Sequence, residues 1–77
     1  MSSQIFHVPE GADATEYYED LVVEGYFFLS LYCERVEGSV VNCKTVTLLS
    51  GKTVQELIYD LENDDWVIKY FTMGCNC

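Results

Sequence analysis

At 77 residues the chain has room for a single domain, residues 1–77, and its 49% hydrophobic content, with six Tyr, four Phe and one Trp, is too apolar for disorder. Thirteen acidic residues against four basic ones (Arg35, Lys44, Lys52, Lys69) give a formal net charge of −9. That balance disfavours direct binding to nucleic acid or to an anionic membrane, because affinity for phosphate comes from Lys and Arg releasing counterions.

The N-terminal Met1-Ser2-Ser3-Gln4 has neither the basic stretch nor the apolar run of a secretory leader. The longest apolar run, Tyr26 to Leu31, falls far short of a membrane span, so a cytoplasmic location is expected. After a short strand at Gln4 to Val8, Pro9-Glu10-Gly11 reads as a turn. From Asp13 to Glu24, Ala14, Tyr17, Tyr18, Leu21 and Val22 recur at the spacing of an amphipathic helix, with Asp13 as its N-cap and Gly25 as its stop. Tyr26 to Val36 reads as a strand that alternates Phe27, Leu29, Leu31 and Cys33 against Tyr26, Phe28, Ser30 and Tyr32. Glu37-Gly38-Ser39 turns it into a second strand, Val40 to Leu49. Thr53-Val54-Gln55-Glu56 is a capping box that opens a helix burying Val54, Leu57, Ile58 and Leu61. That helix ends near Asn63-Asp64, and Trp66 to Thr72 supplies the last strand.

The order predicts an α+β domain in which a small antiparallel sheet carries both helices on one face, the ferredoxin-like βαββαβ arrangement. If the first strand is not formed, the alternative is αββαβ on three strands.

The charges are organised. Asp13, Glu16, Asp20 and Glu24 form one stripe opposite the apolar face of the first helix, flanked by Glu19, and Glu56, Asp60 and Asp64 repeat the pattern on the second. Neighbouring carboxylates on a helix surface repel by about 0.2–0.5 kcal/mol, and neither helix carries a Lys or Arg to offset this. On one face of the sheet the two stripes make an acidic plate with carboxylate spacing of the order of nucleic-acid phosphates. Its plain reading is a solvated face; its functional reading is a surface that occupies a basic groove. Tyr26, Phe28 and Tyr32, expected on the open side of the sheet, form a second candidate contact surface.

Chemistry finds little to work with. His7 is the only histidine, Gly51-Lys52-Thr53 lacks the rest of a phosphate loop, and Cys75-Asn76-Cys77 does not have the spacing of structural zinc ligands. No enzyme, cofactor or metal is expected, and Cys33, Cys43, Cys75 and Cys77 are expected as reduced thiols.

A short chain with acidic helix stripes and no catalytic set looks like the small proteins that phages use to inhibit host machinery, among them anti-CRISPR proteins and DNA mimics. The likeness is one of general character, and no residue roles carry over. It implies an inhibitor, acting in the host cytoplasm, that binds a basic nucleic-acid-binding protein or complex such as a CRISPR effector. The competing expectation is a structural or regulatory interaction module, a small complex subunit or an antitoxin, that uses its aromatic sheet face. Either is expected as a monomer or homodimer.

Overall fold

A computed structural model describes residues 2–75, which form β1 (Ser2–His7), α1 (Ala14–Val23), β2 (Tyr26–Glu37), β3 (Val40–Val46), α2 (Val54–Asn63) and β4 (Val67–Cys75). This is the expected βαββαβ order, and the first strand is real. The sheet is antiparallel throughout, in the order β1-β4-β2-β3. β1 and β2 therefore run parallel with β4 between them, and β3 and β4 run parallel with β2 between them. Each such split pair needs a crossover, and each crossover is a helix.

The helix ends are set locally. Asp13 accepts from Thr15 N at 2.9 Å, and Gly25, with φ +106°, lies just past the C-cap Glu24. At α2 the capping box is complete: Glu56 N donates to Thr53 Oγ1 at 3.2 Å, and Thr53 N donates to Glu56 Oε1 at 3.1 Å. The other end of α2 closes less ordinarily. Asp65, at φ +65°, stands in the left-handed position usually held by Gly, while Asp65 N donates to Glu62 O and Trp66 N to Leu61 O. That is a Schellman closure built on an aspartate.

Both helices press the same sheet face. Ala14, Tyr18 and Leu21 of α1 and Val54, Leu57, Ile58 and Leu61 of α2 join Leu31, Cys33, Trp66, Ile68, Phe71 and Met73 in one core. Phe71, Leu31, Ile58 and Met73 are fully buried, each contributing about 1.5–3 kcal/mol. Val22, expected on the apolar face of α1, is 44% exposed, and the third strand ends at Val46, short of Leu49.

Two bulges break the alternation of the central strands. Between β2 and β4 the pairs Phe28↔Met73 and Ser30↔Thr72 leave Leu29 as an extra residue, and Tyr32↔Tyr70 followed by Cys33↔Ile68 does the same for Lys69. Leu29, expected to point inward, is accordingly 41% exposed. The phase on its N-terminal side is inverted: Tyr26 and Phe28 pack against the core, and the Phe28 ring meets Tyr18 at 6.2 Å and Phe71 at 6.5 Å. The expectation that Tyr26 and Phe28 lie on the open sheet face is thus corrected, because a one-residue insertion moves every side chain beyond it to the other face. Tyr32, beyond the bulge, does lie on the open face.

Candidate functional site

The outer surface of the helix layer is acidic. With Ala14, Tyr18 and Leu21 facing the sheet, a 3.6-residue period turns Glu16, Glu19 and Asp20 outward, with Asp13 and Glu24 flanking them; all five are exposed. On α2 the same geometry exposes Glu56, Asp60 and, just past the helix, Asp64. Every carboxylate assigned to the plate from the sequence is therefore on the surface.

They are not equivalent. Asp13 and Glu56 spend oxygens on helix caps. Asp60 receives Lys52 Nζ at 2.5 Å, a contact that pushes the Lys52 ammonium pKa upward. Asp64 takes Arg35 Nη1 at 2.9 Å and the Trp66 indole N–H at 3.2 Å. The absence of cations on the helices themselves did not reveal these pairings, because Lys52 precedes α2 and Arg35 comes from β2. The side chains of Glu16, Glu19, Asp20 and Glu24 make no hydrogen bond or ion pair among the described residues. One further member, Glu62, sits where the C-terminal end of α2 approaches the start of α1; burial first, and Asp13 second, raise its pKa.

Cations are gathered elsewhere. The Arg35 guanidinium lies 4.6 Å and the Lys44 ammonium 4.4 Å from the Trp66 ring centroid, and Arg35 also holds Glu37 at 2.9 Å. Two of the four basic residues are thus engaged on one indole, well separated in role from the α1 carboxylates.

The opposite sheet face has no layer over it among the described residues. Across its middle run His7, Tyr70, Tyr32 and Thr45, one from each strand and directly paired. The Tyr32 and Tyr70 rings stack at 4.9 Å and 13°, and His7 meets Tyr70 edge-on at 5.3 Å. Tyr32 Oη donates to Glu34 Oε2 at 2.8 Å; Cys43 first and Glu34 second hold that phenolic proton on and raise its pKa. Of the three aromatic residues assigned to this face from the sequence, only Tyr32 is on it. Phe27 and Tyr70 are the ones sequence reasoning missed. The signal available for Phe27 was Gly74, whose missing side chain leaves room for that ring.

Cys33 is a buried free thiol, its pKa raised chiefly by burial, and Cys43 an exposed one. Cys75 is disulfide-bonded, which corrects the expectation of four reduced thiols; Cys77 lies outside the described residues. Among the described residues no group of three His, Cys, Asp or Glu side chains is placed to hold a metal ion, and no helix is long and apolar enough to cross a membrane. No protein-family model, curated protein or solved structure matches the chain.

Proposed function

We propose that the protein is a non-catalytic inhibitor that occupies the basic surface of a nucleic-acid-binding protein or complex, a CRISPR effector being one such target, with α1 as its leading element. One observation carries this reading: the side chains of Glu16, Glu19, Asp20 and the C-cap Glu24 are exposed along α1 and have no hydrogen-bond or ion-pair partner among the described residues. Placed along a single helix, their mutual repulsion opposes folding, whereas a basic groove neutralises them together and gains in encounter rate as well as in affinity. Asp60 and Asp64 are already neutralised by Lys52 and Arg35, so they contribute at the rim.

The test is retention of basic nucleic-acid-binding proteins from host lysate on immobilised protein, over a salt series and with duplex DNA as competitor. Retention should weaken steeply with salt and yield to DNA. Glu16→Lys with Asp20→Lys should leave the circular dichroism unchanged and weaken binding by about 1–3 kcal/mol for each residue seated against a desolvated cation. Retention that is indifferent to salt, to DNA and to the double reversal would remove the proposal.

A further inference from the structure

The uncovered sheet face plays no part in that reading. Phe27, Tyr32 and Val36 lie along β2 on this side, with Ser30 and Glu34 between them, and Ile5, Tyr70 and Val41 widen the patch from β1, β4 and β3. Ile5, Val36 and Val41 are 57%, 67% and 57% exposed. The Phe27 ring lies over Gly74, and the Tyr32 and Tyr70 rings stack against each other across neighbouring strands, so they stand up at the centre of the face. Strand alternation brings a single carboxylate to it, Glu34, which is already hydrogen-bonded to Tyr32.

We propose that two copies of this chain pair face to face through this surface, about a twofold axis near the Tyr32–Tyr70 stack. Charge selects the occupant. A basic protein or a nucleic acid finds almost nothing here to pair with, and two copies that each carry −9 repel when their helix layers meet. The sheet face is the broad surface whose burial brings no row of carboxylates together. Size agrees at its lower limit: Phe27 to Val36 spans roughly 30 Å, and the sheet is three to four strands, roughly 10–15 Å, wide up to Glu34 and two strands wide beyond it. With side-chain relief, that is of the order of the ~600 Å² per partner at the lower end of stable interfaces. With the twofold axis running across the strands, the hairpin end of one copy, Val36 and Val41, lies over the Phe27 and Ile5 end of the other, so each apolar end finds an apolar counterpart.

Sedimentation over a concentration series at low and high salt decides it. The parent should be a dimer that tightens as salt rises, because screening relieves the repulsion between the copies. Tyr70→Glu should weaken the dimer about 30-fold or more, as a central hot-spot residue does, and Val41→Glu should weaken it measurably. Alkylation of Cys43, an exposed thiol opposite Glu34 on this face, should slow as the dimer fills. If Tyr70→Glu unfolds, Val41→Glu still reads the face, since its parent side chain is more than half exposed. A parent that is monomeric at every concentration, a dimer that neither variant disturbs, or one that salt weakens would each overturn the pairing. The opposite salt response of the acidic helix layer keeps this outcome separate from the inhibitor reading.

Discussion

Phe28 and Tyr32 lie four residues apart on β2, yet the Leu29 bulge puts them on opposite faces, so their replacement by Ser should have unequal effects. Phe28 is half-buried and meets the rings of Tyr18 and Phe71, at 6.2 and 6.5 Å. A fully buried Phe→Ala costs about 3–5 kcal/mol; partial exposure lowers this, while two aromatic contacts and a stranded hydroxyl raise it again, so Phe28→Ser should cost about 3 kcal/mol. Tyr32→Ser gives up one stacked neighbour and one partly exposed hydrogen bond, about 1 kcal/mol. A domain of this size has about 3–5 kcal/mol in all, so the first variant should be largely unfolded in mild urea and the second should not. Urea titration followed by fluorescence of Trp66, the only Trp and a buried one, resolves the difference. If Tyr32→Ser is the more damaging, β2 alternates without interruption and the bulge is wrong.

Gly74→Ala would bring a Cβ to within 2.4 Å of the Phe27 ring, so it should destabilise by about 1–3 kcal/mol, and most of that loss should vanish in a Phe27→Ala background when melting temperatures are compared as a double-mutant cycle. Asp65→Gly relieves a left-handed aspartate and should raise stability by about 1 kcal/mol in urea titration. Thr53→Ala removes the hydroxyl that receives Glu56 N and should cost about 0.5–2 kcal/mol by the same assay. Because burial and Asp13 raise the folded-state pKa of Glu62, the folded state binds the Glu62 proton more readily than the unfolded state does. The contribution of Glu62 should therefore rise as pH falls from neutral toward the ordinary carboxylate range, and Glu62→Gln should flatten that part of the melting-temperature profile.

The features legible in the sequence were those whose signal is local. Thr53 with Glu56, Asp13 and Gly25 mark helix ends because the groups they satisfy lie within three residues, and helical spacing selected the buried faces of both helices with Val22 as the exception. The phase of β2 was not legible: Tyr26, Phe27, Phe28 and Leu29 are all apolar, so nothing polar marks which is outward, and a bulge depends on the partner strand. Asp65 escaped notice because a left-handed aspartate looks like any helix-ending acid. Exposure of the acidic stripe could be read from spacing alone, but its division into free and tied carboxylates could not. That division depends on Arg35 reaching Asp64, 29 residues away, and on Lys52 reaching back to Asp60.

The pairing of β2 with β4 ends at Glu34, while β2 runs on with β3 to the turn at Gly38-Ser39. The residues from Arg35 to Asn42 thus form a two-stranded overhang, moored at its root by Arg35 on Trp66 and Asp64. An isolated ribbon of this kind is marginal in water, so its amides should exchange with solvent through brief local opening long before the core does. Val36 and Val41 pair within it, and their exchange rates can be followed residue by residue. Whatever seats itself on the sheet will therefore announce itself first as slowed deuterium uptake at the tip of this hairpin.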